Sequence, residues 1–127
     1  MPEKRLFEYA VVRVVPRVER EEFLNVGIIL YCRQAKFLAF RYQLDNEKLA
    51  VLCPATDCTE VDDHLKSFDK ICTGGKEAGA IGNLDLPSRF RWLTATRSTI
   101  VQTSKVHPGF CVSPEETIQK LFRQLVL

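Results

Sequence analysis

The strongest constraint on the fold comes from short segments in which apolar side chains occupy successive positions. Leu6–Val15 is rich in β-branched residues and ends at Pro16, and Asn25–Cys32 is almost continuously apolar. Both patterns are typical of β-strands. Alternation places the apolar residues of the second strand on two sides, with Val26, Ile28 and Leu30 on one and Ile29 and Tyr31 on the other. A sheet with one buried face would alternate apolar and polar residues, so we expect helices or a second layer to cover part of the outer face.

A hairpin is predicted next. Phe37–Leu44 has the pattern of a third strand, and Arg33–Lys36 is short enough to form the turn between it and the second strand. Gly27 lies inside the second strand, where a glycine indicates a bulge or the close approach of another backbone or a ligand. The segment 17–24 before this strand reads as a charged connection.

The sequence predicts two helices after this hairpin. Asp45 is suited to cap a short helix over Asn46–Cys53, which Pro54 ends. A second helix begins near Thr59. Its apolar residues recur with helical spacing on one stripe: Val61, Leu65, Phe68 and Cys72.

A third helix is predicted at the C-terminal end. Ser113 is an N-cap residue, Pro114 occupies the first helical position, and Glu116 completes a capping-box pattern. The apolar residues that follow repeat as on one face of a helix: Ile118, Leu121, Phe122 and Leu125.

The segment between these helices is predicted to hold a loop and two further strands. Residues 73–85 include four of the six glycines, a composition that favours a mobile loop. Ser88–Thr94 and Thr99–Val106 read as strands joined by a turn, with His107 in a second turn. Alternation along the first would point Arg89 and Arg91 at solvent or a ligand and Trp92 into the core.

These elements predict one α+β domain over residues 1–127, with a mostly antiparallel sheet of about five strands and three helices packed on it. Hydrophobic residues make up 46% of the 127 residues and charged residues 27%, which is ordinary for a globular protein. No apolar run is long enough to cross a membrane, and the N-terminal segment lacks a secretory pattern. Five cysteines, an odd number, favour reduced thiols, and we therefore expect a cytoplasmic protein.

Charge is distributed unevenly along the chain. The stretch 86–114 carries four basic residues and no acid, whereas the rest has sixteen acids and fourteen bases. Bases beside hydroxyl and amide donors suit an anion such as a phosphate, a carboxylate or an acidic partner surface. A second cluster precedes the second strand, where Glu22 is placed to pair with an arginine of the later strands. The candidate anion-binding residues are Arg20, Glu22, Asn25, Arg89, Arg91, Arg97, Ser98, Gln102 and His107.

The sequence favours neither a metal site nor a nucleotide loop. Four ligand-type residues occur within a short span, but their spacing lacks the paired knuckles of structural zinc sites: Cys53, Cys58, His64 and Cys72. The Gly74-Gly75-Lys76 run fails the phosphate-loop pattern, since Lys70 stands at the first glycine position and Glu77 at the hydroxyl position. We therefore expect no metal and no cofactor.

Several short motifs resemble a bacterial family of small proteins, the domain-of-unknown-function family 3037. The resemblance is carried by residues 20–27, 89–93, 97–99, Gln102 and 107–109, and it extends from about Tyr9 to the C-terminal helix. Glu21 stands where the family pattern has glycine. Members are often encoded beside HipA-like kinases, so the resemblance implies a kinase-like protein partner and a link to toxin–antitoxin pairs. It implies no established activity.

Three functions are consistent with these features. The leading interpretation is a small cytoplasmic accessory or regulatory module with a basic anion-binding patch, which binds a kinase-like partner. The second is a small enzyme acting on a phosphorylated or nucleotide substrate, with Glu22 as general base and the arginines stabilising charge. The third is a nucleic-acid binder in which Trp92 and Phe90 stack on bases.

The cysteine count gives a first test. We expect no intrachain disulfide, with Cys72 and Cys32 buried as small apolar side chains. Thiol titration of the denatured, unreduced protein should therefore find five free thiols. A count of three would mean one disulfide and would contradict the expectation of a reducing compartment.

Overall fold

The computed structural model describes residues 3–52, 58–97 and 99–127, except for the side chains of Val18 and Cys58. The expected α+β architecture is confirmed. Five antiparallel strands form one sheet: β1 Arg5–Val14, β2 Leu24–Cys32, β3 Phe37–Tyr42, β4 Val101–Thr103 and β5 His107–Cys111. Four α-helices, one more than predicted, lie within the described residues: α1 Asn46–Leu52, α2 Cys58–Thr73, α3 Leu86–Leu93 and α4 Pro114–Leu125.

Strand β1 is the centre of the sheet. It pairs with β2 along one edge, while β4 and β5 share its other edge, giving the order β3-β2-β1-β4 with β5 also on β1. Ser104 bridges the gap between β4 and β5: its backbone N–H donates to the Val11 carbonyl, and its Oγ accepts from the Val11 N–H, both at 2.8 Å. The hydrogen bonds that β1 makes along this edge therefore continue from β4 through Ser104 to β5.

The predicted hairpin is formed by β2 and β3, and the predicted bulge lies in β2. The register against β1 shifts so that Val12 pairs with Gly27 and Arg13 with Asn25, which leaves Val26 as the extra residue. A Cβ on Gly27 would lie 2.6 Å from Cε1 of Phe40 and 2.9 Å from the Arg41 carbonyl oxygen, so only glycine fits. The bulge corrects one expectation, because Val26 packs on the side of Ile29 and Tyr31 instead of that of Ile28 and Leu30.

The sheet is covered on both faces, as the apolar strands required. One face packs against α2 and α3, with a core that includes Val12, Ile29, Leu65, Phe90 and Leu93. We call this the α2 face. The opposite face packs against α4, which lies over β2 and β3, with a core of Phe7, Val11, Ile28, Leu30, Cys32, Cys111, Ile118 and Phe122. We call this the α4 face.

Capping residues begin the helices where the sequence predicted. The Asp45 carboxylate accepts the backbone N–H groups of Glu47 and Lys48, which opens α1. The Ser113 hydroxyl accepts the N–H of Glu116, which opens α4. The apolar stripe of α2 is buried, Cys72 included. Cys53 and Pro54, at the predicted end of the first helix, lie outside the described residues.

The prediction of a strand over Ser88–Thr94 is wrong, because this segment forms α3. Asp85 caps the helix by accepting the Ser88 N–H at 2.9 Å, and Pro87 sits in the first turn. Hydrogen bonds from the side chain and the backbone N–H of Ser88 lower the pKa of the Asp85 carboxyl. The contribution of this cap to stability is therefore complete above the ordinary pKa of an aspartate and is lost as the pH falls through the lowered pKa. The acidic cap and proline together were a readable helix-start signal.

Helical geometry reverses the expected directions of the side chains. Arg89 is buried, with 9% of its surface exposed, whereas Trp92 is 39% exposed and Arg91 is exposed. Spacing of three and four residues instead brings Phe90 and Leu93 into the core. The expected turn at His107 is also wrong, since this residue begins strand β5.

The glycine-rich segment is organised around Arg89. Gly74 has a φ of 81° and ends α2 by donating its N–H to the Lys70 carbonyl. A Cβ at Gly74 would overlap the Arg89 guanidinium. Two 3-10 turns follow, Lys76–Ala78 and Ile81–Asn83, joined by a hydrogen bond from the Gly75 N–H to the Gly82 carbonyl. The glycines here permit close packing and a helix end.

Arg89 joins α3 to the end of α2. Its Nη1 donates to the carbonyls of Ile71 and Cys72, each at 3.0 Å, and so binds two of the carbonyls that the helix end leaves unpaired. Arg89→Met would leave both carbonyls buried without a donor. We expect the free energy of unfolding to fall by about 2 kcal/mol or more, measured by urea denaturation. Arg91→Met, two positions along the sequence but exposed, is the control and should change stability by less than about 0.5 kcal/mol.

Candidate functional site

The basic stretch does not form a single arginine patch. Arg89 is used inside the fold, as described above. Arg97 folds back onto α3, donating to the carbonyls of Trp92 and Leu93, and its guanidinium lies over the Trp92 ring at 4.4 Å and the Phe68 ring at 5.0 Å. Burial lowers the pKa of Arg97. Ser98 lies outside the described residues. Two of the four cations of this stretch, Arg89 and Arg97, thus bind carbonyls at helix ends.

Arg91 occupies a different place, on the α2 face. It lines a cleft of about 530 Å³ with Arg33 at the end of β2, and the floor of the cleft contains Leu6, Glu8 and Tyr31. Asp85 is also in the wall. The two carboxylates balance the two arginines, so the cleft has no net charge that would favour an anion.

The loop before β2 contains a local ion pair. The Arg20 guanidinium contacts the Glu22 carboxylate, two residues away and close to solvent, so Glu22 does not pair with an arginine from the later strands as expected. Glu21, between them, has a φ of 56°. This left-handed conformation is one that glycine adopts more readily than other residues.

Two of the predicted residues meet in a polar row across the α4 face. Asn25 in β2 and Gln102 in β4 both pair with Arg13 of β1, so the three side chains stand side by side on one face of three neighbouring strands. Asn25 also donates from its Nδ2 to the Leu125 carbonyl at 3.1 Å, at the end of α4. We call Asn25, Arg13 and Gln102 the polar row.

Arg13 is the cation at the centre of this row. Its guanidinium lies over the exposed ring of Phe23 at 4.0 Å, and no carboxylate of the described residues forms an ion pair with it. Partial burial lowers its pKa, which means that the folded protein holds the charged form at a cost. Its Nε and the Oδ1 of Asn25 are buried without a hydrogen-bond partner, as is the Nε of Arg89, whose Nη1 is bound to two carbonyls. Such unpaired atoms are uncommon and costly inside proteins.

His107, the first residue of β5, lies on the same face of the sheet, beside Tyr9 of β1. It pairs with Tyr9, with ring centroids 5.4 Å apart, and Tyr9, Val11 and Arg13 follow one another along this side of the strand. The only acid within the five strands is Glu8, which points to the α2 face. The strand positions of the α4 face therefore include Arg5, Arg13 and Arg41 but no carboxylate.

Sequence reasoning missed Arg13 because it stands in a strand that otherwise reads as core. A signal was present: Arg13 interrupts the apolar run of Leu6–Val15 at a position where a buried central strand has no place for an unpaired cation. The pairing that surrounds it with Asn25 and Gln102 depends on strand order and register. Neither could be read from the sequence.

Metal and membrane chemistry receive no support from the described residues. No group of three or more metal-ligating side chains occurs among them, and none of their helices is long and apolar enough to span a membrane. Burial raises the pKa of the Cys72 thiol to about 12, so this cysteine stays protonated and packs as an apolar side chain. Cys32, Cys72 and Cys111 are free thiols.

Comparison with known proteins agrees with the motif resemblance. The model of a family described as a protein of unknown function (DUF3037) matches residues 9–126. The chain belongs to this family. No curated protein and no solved structure matches it. The matched region of this DUF3037 protein includes the whole polar row and all four helices, so the site described here lies within the family domain.

The energetic character of Arg13 can be tested by removing its charge. We expect Arg13→Met to leave the free energy of unfolding within about 0.5 kcal/mol of the wild type or to raise it, because a desolvated cation without an acid partner contributes little stability. Urea denaturation measures this. A loss of about 2 kcal/mol, as expected for Arg89→Met, would instead make Arg13 a structural residue.

Proposed function

We propose that this DUF3037 protein is a small accessory module that binds an anionic group at the polar row of the α4 face. The observation that carries the proposal is Arg13, a partly buried guanidinium with no carboxylate partner among the described residues. A protein that keeps a cation in this state pays a desolvation cost, which a bound anion would offset. The arginine side chain is well suited to phosphate and carboxylate groups because it donates in a fixed fork.

The neighbours of Arg13 support an anion at this position. Gln102 is partly exposed beside it and supplies a neutral amide, while its Nε2 donates to the Thr99 carbonyl and so holds the side chain in place. Arg20 is nearby in the chain, but Glu22 already neutralises it. The anion would therefore meet one strong cation and an amide, which suits one phosphate or carboxylate group at this position.

A protein partner is one source of such a group, through a phosphorylated or acidic side chain. The family resemblance suggests a HipA-like kinase as that partner. The enzyme alternative has less support, since Glu22 is held by Arg20 and no nucleophile of the described residues contacts it. The nucleic-acid alternative in its original form also loses support, because Phe90 is buried and cannot stack on a base.

Thermal melting in different salts tests the proposal. Sulfate and phosphate should raise the melting temperature of the wild type more than chloride at the same ionic strength, by about 3–6 °C if the anion is near ten times its dissociation constant. Arg13→Gln should remove this difference, since it keeps an amide donor but removes the charge and the fork.

The control is Arg123→Gln, which removes one arginine charge from the exposed side of α4. It should keep the full difference between sulfate and chloride. Sulfate also stabilises proteins generally through its exclusion from their surface, and that contribution is the same in all three proteins. If Arg13→Gln gains as much from sulfate as the wild type does, the polar row binds no anion.

A further inference from the structure

The α4 face carries aromatic rings on both sides of its cation. His107 is exposed and its ring lies beside that of Tyr9, with centroids 5.4 Å apart. Phe23, in the connection before β2, is 47% exposed and lies against Arg13. Tyr9 and Arg13 are four residues apart in β1, a distance of about 13 Å along the strand. The α4 face thus presents the ring of His107 near Tyr9 and, further along β1, the guanidinium of Arg13 with the ring of Phe23.

Helix α4 leaves these side chains accessible. It packs mainly over β2 and β3 and also covers Phe7 and Val11 of β1, whereas Tyr9, Arg13 and Gln102 are partly exposed along β1 and β4. Val11, between Tyr9 and Arg13, is buried and apolar. The accessible surface between the two rings therefore lies on the side of β1 that pairs with β4 and β5.

We propose that this part of the α4 face binds a single-stranded nucleic acid, with His107 and Phe23 stacking on bases and Arg13 contacting the phosphate between them. The inference rests on the proposed function, because the phosphate would be the anion held by the polar row. Single-strand binding commonly combines aromatic stacking positions with a cationic track, and it tolerates sequence because every base has a stacking face.

The charges of this face fit a phosphate chain of short length. The strand positions of this face contain no carboxylate, since Glu8 points to the α2 face, and Lys105 is exposed in the link between β4 and β5. Of the acids in the connection before β2, Glu22 is paired with Arg20 and Glu21 is exposed; two more acids, Glu115 and Glu116, lie in the first turn of α4. With so few cations, binding should depend weakly on salt, at about one to two phosphates neutralised.

Two fluorescein-labelled probes separate stacking from charge: an oligothymidylate of about twelve nucleotides and an abasic strand with the same number of phosphates. Fluorescence anisotropy should show the oligothymidylate binding at least about tenfold more tightly than the abasic strand. His107→Ala and Phe23→Ala should each weaken binding of the oligothymidylate by about fivefold or more and change the abasic strand little.

The opposite face supplies matched controls. Phe110 is 70% exposed on the α2 face, and Arg91 is exposed in the cleft there. Phe110→Ala and Arg91→Gln should leave binding of both probes unchanged. Circular dichroism melting of every variant establishes that it is folded, which is expected because His107, Phe110 and Arg91 are exposed.

The outcomes distinguish this inference from the proposed function. Equal binding of the two probes, or an unchanged affinity in His107→Ala, would overturn the nucleic-acid proposal. If sulfate still stabilises the wild type and not Arg13→Gln, the anion site would stand without it. A loss in Phe110→Ala as large as in His107→Ala would overturn the placement of the nucleic acid on the α4 face.

Discussion

The structure depends on β1 being paired along both edges and covered on both faces. Its ten residues bind β2 on one side and the broken β4–β5 edge on the other, so every strand except β3 contacts it directly. A strand in this position has almost no exposed backbone, and half of its side chains are buried. An unpaired arginine on this strand is costly for that reason.

The chain uses its arginines in two physically different ways. Arg89 and Arg97 donate to carbonyls at helix ends, where a cation meets partial negative charge and stabilises the fold. Burial disfavours the charge of Arg13 as it does that of Arg97, but Arg13 has no such carbonyl or carboxylate among its hydrogen bonds within the described residues. The positions of Arg89 and Arg97 are explained by the stability that these hydrogen bonds give to the fold. A residue of the second kind is better explained by a ligand, since natural proteins retain unfavourable groups mainly at functional sites.

The two faces of the sheet also differ in charge, although the whole chain has a net charge of only +2. The α2 face contains the one acid of the strands and a cleft in which acids balance arginines. The α4 face has cations and aromatic rings without an acid in its strands. Net charge is therefore a poor guide to binding here. The arrangement of charge about one strand decides where an anion is favoured.

The sequence by itself determined the elements whose signals are local: the first three strands, the bulge at Gly27, and the helix starts at Asp45 and Ser113. It also identified Asn25, Gln102 and His107 as candidates. The sequence did not predict the helix over Ser88–Thr94. Alternating basic and aromatic residues there are typical of a strand, and the cap at Asp85 lies in a segment whose glycines favour a loop. Only the tertiary structure decided that Arg13 stands between Asn25 and Gln102, since that neighbourhood joins residues up to about ninety positions apart through strand order and register.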